Sequence, residues 1–291
     1  MKLSNFFEND LTRDAHIQFT HYANSKLNNT VCFVLSYEYL KMANENDNIS
    51  AVITTQDLSK DVSLDKGLFI SKNPKLDFFN LHNFLIKNNC NKIELEHSID
   101  SSAKISSTVV IHNNVSIGKN VVIDDYAVIY SNSIIGDNAY IASHVIIGAR
   151  GMHNTMIEGE FVDVEDAGGV IIGKNCEVLS GAIIQKAYYC EFTEIEDQTK
   201  VSVSVKVGHG CKIGKRTMLA GNVQLAGYNT IGDDVWIGPS STLAHGLTIG
   251  NKAQIKLGSV VVKSIKENEE VSGNFAYSHT KRIRNFVKEQ R

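Results

Sequence analysis

Aliphatic side chains recur at every sixth position over more than half of the chain. Isoleucine occupies each of these positions from Ile99 to Ile147, and after an irregular stretch the period resumes at Ile172 and continues, with one break, to Val261. A period of six matches neither an amphipathic helix nor one alternating strand, but it suits a short strand and a tight corner repeated around a coil. Many of the aliphatic residues are followed directly by a glycine, such as Gly208, which we expect to allow the corner geometry.

The pattern divides the chain into three predicted parts. Residues 1–97 lack the period and are predicted to form a small α/β domain, residues 98–265 a mainly β coil from which a loop at 149–170 projects, and residues 266–291 a helical tail. In the first part the predicted strands are Val31–Leu35, Ser50–Thr54 and Gly67–Ile70, and the predicted helices are Tyr37–Asn44 and Pro74–Lys87. Asn73 directly before a proline is a typical start for the last of these helices.

Composition and charge narrow the possible functions. The net charge is -3 and the isoelectric point is near 6.4, so no overall positive field favours nucleic acid as a partner. No segment approaches the roughly 20 apolar residues of a membrane span, and residues 1–16 lack the layout of a signal peptide. The five cysteines include no CxxC pair, which favours reduced thiols over disulfides or a zinc ribbon. We therefore expect a cytoplasmic protein.

A column of polar residues is the strongest candidate for chemistry. His209 stands between Gly208 and Gly210 at an open corner, and an ordinary histidine pKa of about 6.5 suits a general base near neutral pH. If a coil takes about eighteen residues, Gly227 lies beside His209 on the next coil, where a backbone N–H can stabilise an oxyanion. His245 follows one coil further. A polar surface column without catalysis is the alternative at this point.

The segment around His209 resembles the sugar-nucleotide acyltransferases of the hexapeptide class, which carry a similar His-x-Cys-x-Ile-Gly sequence. With its first part included, the chain most resembles the UDP-3-O-acylglucosamine N-acyltransferases of lipid A synthesis. The resemblance implies a left-handed parallel β-helix with three six-residue repeats per coil, assembled as a homotrimer. It also implies that His209 is the base and that Gly227 supplies the oxyanion amide. His245, in the same column, is a further catalytic candidate.

The same family stacks the uracil ring on an aromatic pair six residues apart, and Phe33 and Tyr39 match this pair. The resemblance therefore implies that Phe33, Ser36 and Tyr39 bind the nucleotide, with Ser36 in the place of an asparagine. An aromatic residue within a strand is more often part of the core, so a structural role for Phe33 stays open.

Several positions depart from the pattern of the family. The Asp-Asn pair that precedes the family's histidine is Ser202-Val203 here, so the carboxylate that would orient His209 is missing. Lys75 replaces a tyrosine, and Gly148–Met152 matches the family's acyl-pocket segment only in part. These differences favour a relative with another acyl group or another sugar.

We therefore predict an N-acyltransferase that moves an acyl group, preferentially acetyl, from acyl-CoA to the amino group of a UDP- or dTDP-linked amino sugar. The product would serve surface polysaccharide or lipopolysaccharide synthesis, and no metal is required. The first alternative is the acyl-carrier-protein-dependent enzyme of lipid A synthesis. Basic residues in the tail can meet the phosphates of coenzyme A or the acidic surface of acyl carrier protein: Lys281, Arg282, Arg284 and Lys288. The short tail favours coenzyme A.

Two other classes of function stay open. The γ-class carbonic anhydrases use the same coil and bind zinc through three histidines, two of them spaced as His209 and His245 are. The third position is Gly250 here, so such a zinc site is incomplete. A sugar-nucleotide-binding scaffold without catalysis would work through residues 1–97.

Overall fold

The first part of the chain forms a five-stranded sheet with helices. The computed structural model describes residues 1–7, 11–90, 93–273, 276 and 278–289, apart from the side chains at 282, 286 and 289. A short 3₁₀ helix covers Leu3–Asn5; the strands are β1 Leu11–Arg13, β2 Phe19–Thr20, β3 Thr30–Val34, β4 Ile49–Thr54 and β5 Gly67–Ile70, and the helices are α1 Tyr37–Glu45, α2 Gln56–Ser59 and α3 Pro74–Lys87. The sheet order is β1-β5-β4-β3-β2, and only β1 runs antiparallel to its neighbour.

The segments β3, β4, β5, α1 and α3 agree with the sequence prediction to within one residue at each end. Helix α3 begins where it was predicted because the Asn73 side chain accepts a hydrogen bond from the Leu76 amide at 3.2 Å and Pro74 occupies the first turn. The prediction missed β1 and β2, which are too short to show an alternating pattern.

From Ser98 onward the chain winds into a parallel β-helix with three sheets, which we call A, B and C. Sheet A contains Ser98–Ile99, Val115–Ile117, Ser133–Ile135, Gly169–Ile172, Phe192–Ile195, Lys212–Ile213, Thr230–Ile231 and Thr248–Ile249. Sheet B contains Lys104–Ile105, Val122–Ile123, Tyr140–Ile141, Glu177–Val178, Lys200–Val201, Met218–Leu219, Trp236–Ile237, Gln254–Ile255 and Glu270–Val271. Sheet C contains Val110–Ile111, Val128–Ile129, Ile146–Ala149, Ile183–Gln185, Lys206–Val207, Gln224–Leu225, Thr242–Leu243 and Val260–Val261.

Three six-residue repeats make one coil. Ile123 pairs with Ile105 on one side and with Ile141 on the other, and the same offset places Val207 beside Leu225. From Ile117 onward the aliphatic residue of each repeat is buried in one continuous core. Because full burial of such a side chain stabilises a fold by roughly 1.5 to 3 kcal/mol, the repeated aliphatic positions hold the coils together.

Apart from Gly148, with φ 82°, the glycines that directly follow the aliphatic residues do not have the left-handed backbone of a corner, so that prediction is wrong. The left-handed backbone lies three residues after the aliphatic position, where Asn120 has φ 55° and Asn138 has φ 59°. Asparagine tolerates this conformation. At Gly208, by contrast, a Cβ would lie 2.6 Å from the carbonyl carbon of Ala226 on the next coil. Glycine is therefore needed there for the close approach of two coils.

Two insertions project from the corner that joins sheet C to sheet A, which we call the C–A corner. The first covers residues 150–168, within the predicted loop, and the second covers residues 186–191. The first insertion contains an antiparallel hairpin of Asn154–Ile157 and Glu160–Asp163, which the prediction missed. Because Ile184 pairs with both Ile147 and Val207, the two insertions and the corner that follows Val207 lie on three successive coils.

The five-stranded sheet and its helices pack against both insertions. Phe78 of α3 shares a buried cluster with Val164 of the first insertion and Tyr189 of the second. At the same contact, Nε2 of His82 in α3 lies 2.9 Å from the carbonyl oxygen of Glu165. The first part of the chain is therefore fixed beside the C–A corner.

The coil extends beyond residue 265, where the sequence pattern placed its end. Ile265 forms a bridge with Ile249, and Glu270–Val271 joins sheet B beside Gln254–Ile255. The corner after Val261 is two residues shorter than the others, which hides the period from sequence inspection. The tail contains helix α4, His279–Glu289. Of the helices described, none is long and apolar enough to cross a membrane.

Candidate active site

His209, Gly227 and His245 lie in one column on the C–A corner. The Tyr228 amide donates a hydrogen bond to the His209 carbonyl at 2.8 Å, and the Gly246 amide donates to the Gly227 carbonyl at 3.0 Å. These bonds keep the three successive corners in register. His209 is half-buried, Gly227 is buried and His245 is exposed. The structure thus brings the predicted base and the predicted oxyanion glycine together, with His245 at the edge of the site.

The His209 ring lies directly against the backbone of Gly227. A Cβ at Gly227 would overlap Nε2 of the imidazole and would lie 2.7 Å from its Cδ2, so only glycine fits. Within the described part of the chain, the Gly227 N–H meets no protein acceptor. A proton acceptor and a free amide donor therefore stand side by side, as attack on a carbonyl group requires.

Aromatic rings enclose other sides of His209. The Tyr188 ring stacks on the imidazole with 3.9 Å between ring centroids and 13° between ring planes. Tyr228 meets the imidazole nearly edge-on at 5.3 Å, and the His245 ring lies at 6.1 Å. The sequence reasoning missed both tyrosines. The only signal for Tyr188 was that the six-residue period breaks at this residue.

Burial keeps His209 neutral at physiological pH. The pKa of His209 is lowered to about 4, mainly by the loss of hydration and also by His153 and His245, whereas Glu191 and Asp166 act in the opposite direction. The deprotonated imidazole can accept a proton, but it is a weaker base than an exposed histidine.

A second histidine, His153, lies beside Tyr188 in the first insertion. Its Nδ1 contacts Asp166 Oδ1, and its Nε2 accepts a hydrogen bond from the Gly151 amide at 3.2 Å. The His153 side chain is fully buried, and its ring centroid lies 5.9 Å from that of His209. His153 is fully buried whereas His209 is half-buried, so His209 is the more accessible of the two imidazoles. The sequence reasoning did not single out His153.

The predicted nucleotide-binding residues lie at the end of β3 and the start of α1. Phe33 is half-buried and packs against Phe78 with 5.0 Å between ring centroids, whereas Tyr39 is 55% exposed. The Ser36 Oγ accepts a hydrogen bond from the Tyr39 amide at 3.5 Å and so caps α1. Phe33 therefore makes the core contact that its structural interpretation requires, and Tyr39 offers a freely accessible ring. The binding roles of all three stay predictions.

The zinc-binding interpretation finds no further support. The position that it requires for a third histidine is Gly250, which directly follows the sheet A strand Thr248–Ile249. In the ranges that the structure describes, no three His, Cys, Asp or Glu side chains are grouped to hold a metal ion.

Comparison with known proteins gives one family match within the β-helix and relatives that match part of the chain. The family model of the bacterial transferase hexapeptide (six repeats) matches residues 114–149. The UDP-3-O-acylglucosamine N-acyltransferase of Herminiimonas arsenicoxydans is 33% identical over 127 residues, which are 44% of this chain and 36% of that protein. A probable UDP-3-O-acylglucosamine N-acyltransferase 2, mitochondrial, of Arabidopsis thaliana is 35% identical over 104 residues, which are 36% of this chain and 34% of that protein. The match thus spans about a third of the length of these relatives.

Solved structures resemble the fold. The UDP-N-acetylglucosamine acyltransferase of Francisella novicida has a TM-score of 0.52 at 26% identity, over 65% of this chain and 72% of that chain. The enzyme of the same name from Campylobacter jejuni has a TM-score of 0.50 at 24% identity, over 59% of this chain and 72% of that chain. The predicted fold class is confirmed, including the left hand of the β-helix, the small α/β region before it and the short helix after it. The chain is therefore a left-handed β-helix protein of hexapeptide repeats that resembles the UDP-3-O-acylglucosamine N-acyltransferases.

Proposed function

We propose that the chain transfers an acyl group from a thioester to the amino group of a UDP-linked amino sugar. The observation that carries the proposal is the contact between His209 and Gly227, whose amide N–H is free of protein acceptors among the described residues. The amine attacks the thioester carbonyl carbon, and the Gly227 N–H donates a hydrogen bond to the oxyanion. The C–S bond then breaks as the amide forms. His209 takes the proton of the amine and passes it to the leaving thiolate.

The contribution of the base depends on the protonation of the acceptor. A sugar amine is partly neutral near pH 7, so it attacks without first losing a proton to His209. The proton leaves the nitrogen as the tetrahedral intermediate forms and collapses. A neutral imidazole with a low pKa is sufficient for this step, because the ammonium group of the intermediate is much more acidic than a hydroxyl group.

The acceptor is a UDP-linked glucosamine derivative. The relatives are named UDP-3-O-acylglucosamine N-acyltransferases, and these names favour the lipid A type of acceptor over the acetylation of a polysaccharide precursor that the sequence departures favoured. Tyr39, exposed at the start of α1, is the ring that stacks on the uracil base. The homotrimer that the resemblance implies belongs to this proposal as well.

The test supplies the purified chain with UDP-3-O-acylglucosamine or with UDP-linked amino sugars that lack the 3-O-acyl group. Each acceptor is combined with acetyl-CoA, with long-chain acyl-CoA or with 3-hydroxyacyl-acyl carrier protein. Mass spectrometry of the sugar nucleotide detects the added acyl group. Turnover that disappears in His209→Ala supports the proposal. Nucleotide-sugar binding without turnover with any donor would instead make the chain a binding scaffold.

The basic helix α4 is the candidate surface for the donor. Lys281, Arg284 and Lys288 are exposed on it, and the fourth basic residue, Arg282, lies where the structure describes no side chain. Both the phosphates of coenzyme A and the acidic surface of acyl carrier protein suit this charge. The ratio of kcat/KM with acyl-CoA to kcat/KM with acyl-acyl carrier protein identifies the preferred donor. The triple variant Lys281→Ala, Arg284→Ala, Lys288→Ala is then assayed with each donor. If turnover is lost with one donor and kept with the other, the donor that is lost is the one that binds this helix.

A further inference from the structure

The inserted loops supply what the repeat pattern lacks beside His209. The resemblance implies that Ser202 stands where the family has its orienting carboxylate, and a serine cannot fix an imidazole by charge. We propose that Tyr188 is the positioning residue of His209 and that the buried His153–Asp166 pair holds Tyr188 in place. This inference rests on the proposed function only in so far as His209 is the base; the geometry itself does not depend on the reaction.

Stacking is a suitable way to hold this imidazole. The Tyr188 ring covers one face of His209 at 3.9 Å, while the Gly227 backbone lies at the Nε2 edge. A ring that is covered on its face cannot rotate out of its plane without losing this contact. Neither nitrogen is consumed by stacking, so Nε2 stays available for a proton, whereas a hydrogen-bonded partner would occupy one nitrogen.

Tyr188 is itself held by the first insertion. Its hydroxyl donates a hydrogen bond to the carbonyl oxygen of Met152 at 3.1 Å. The His153 ring meets the Tyr188 ring edge-on, with 3.7 Å between ring centroids and 81° between ring planes. Tyr188 therefore contacts two imidazoles: it stacks on His209 and meets the buried His153 edge-on.

The His153 ring is held by a hydrogen bond at Nε2 and by a close contact of Nδ1 with Asp166. Nε2 accepts from the Gly151 N–H, so the ring proton is on Nδ1, where it meets the Asp166 carboxylate. The Arg150 Nε lies 3.8 Å from the other carboxylate oxygen, and Asp166 is itself largely buried. The Asp166 carboxylate thus orients His153. It acts on His209 only indirectly, through the Tyr188 ring that His153 contacts.

Titratable groups face His209 from every element that packs on it. The first insertion brings His153 and Asp166, with Arg150 beside Asp166; the second brings Tyr188 and Glu191, and the following coils bring Tyr228 and His245. Burial is the largest of the effects that lower the pKa of His209. Removal of the Tyr188 ring exposes one imidazole face to water, so the His209 pKa must rise toward its ordinary value.

The decisive measurement is the NMR titration of His209 in protein labelled with ¹³C and ¹⁵N on histidine, with the resonance assigned by its loss in His209→Gln. We expect Tyr188→Leu to raise the His209 pKa by at least one unit and Tyr188→Phe, which keeps the ring, to leave it near the wild-type value. If Tyr188→Leu does not fold, Tyr188→Met, which also lacks the ring but has a flexible unbranched side chain, decides the question. An unchanged His209 titration in the folded ring-less variant overturns the inference.

Steady-state kinetics then link the geometry to the reaction. Tyr188→Leu and Asp166→Asn should each lower kcat about 10- to 100-fold with KM for the sugar nucleotide within about twofold, whereas Tyr188→Phe should retain most of kcat. The matched control is Met156→Ala on the exposed hairpin of the same insertion, which should keep wild-type kcat. If the wild-type enzyme catalyses acyl transfer and Tyr188→Leu has the same kcat, the positioning role of Tyr188 is refuted. If the wild type shows no acyl transfer, the proposed function fails, and the NMR titration still decides on the contact.

Discussion

Gly227 and Nε2 of His209 approach each other so closely that even a methyl group does not fit between them. Gly227→Ala should therefore displace the imidazole and lower kcat roughly 10²- to 10³-fold, the range seen when one oxyanion donor is lost. The control is Gly221→Ala at another corner, where the nearest atom to an added Cβ is the Val203 carbonyl oxygen at 3.7 Å. Equal activity of the two variants would show that the Gly227 backbone takes no part in the reaction.

His209→Ala should lower the acylation rate by roughly 10²- to 10⁴-fold at neutral pH, because this is the typical contribution of a positioned general base. Sedimentation analysis should show the same oligomer for the variant and the wild type. At high pH more of the acceptor amine is neutral, so His209→Ala should lose less of the wild-type rate there than at neutral pH. Such a difference is consistent with the proposed proton transfer. A wild-type rate at pH 6 to 7 would assign the proton to solvent or to another group.

The two predicted stacking residues should respond differently to truncation. Tyr39→Ala should raise the KM for the sugar nucleotide by an amount equivalent to about 1 to 3 kcal/mol, with kcat and the midpoint of thermal unfolding unchanged, because the ring is exposed. Phe33→Ala should lower the thermal midpoint, since Phe33 packs on Phe78. Thermal denaturation and steady-state kinetics on both variants separate the two roles. If Phe33→Ala raises KM at unchanged stability, Phe33 binds the base directly.

Acid should weaken the contact between α3 and the first insertion. Burial lowers the pKa of His82 to about 4, and its neutral ring bonds to Thr20 and to the Glu165 carbonyl. The unfolded chain binds more protons than the folded one between about pH 6.5 and pH 4, so this stability is complete above about pH 6.5 and is lost toward pH 4. His82→Gln can keep both bonds and does not titrate. In this pH window the unfolding free energy of the wild type should therefore rise with pH more steeply than that of His82→Gln, by about 1.4 kcal/mol per pH unit.

Urea denaturation at pH 7, 6 and 5 measures this slope. The same histidine-to-glutamine change at His144, an exposed residue on a corner of the coil, is the matched control. Equal slopes for His82→Gln and the wild type would mean that His82 does not couple folding to pH.

The β-helix could be predicted from the sequence because its determinants are local and repeated. An inward-pointing aliphatic residue is required at every sixth position, as from Ile117 to Ile147, and each repeat meets only its neighbours. The placement of His209 beside Gly227 followed from the same rule, since residues one coil apart are adjacent in a parallel β-helix. The end of the coil was placed too early because one shortened corner, after Val261, is enough to break the visible period.

The surroundings of His209 depend on tertiary contacts that carry no periodic signal. His21 lies 3.1 Å from Glu191, and His82 meets Glu165, although 170 and 83 residues separate these pairs in the chain. Stacking of Tyr188 on His209 likewise requires that the second insertion lie over the corner of the next coil. The six-residue repeat by itself therefore determined the coil and its histidine column, because both follow from side-chain spacing. Only the tertiary structure decided what holds His209, because insertions are placed by packing between segments distant in sequence and not by any repeat.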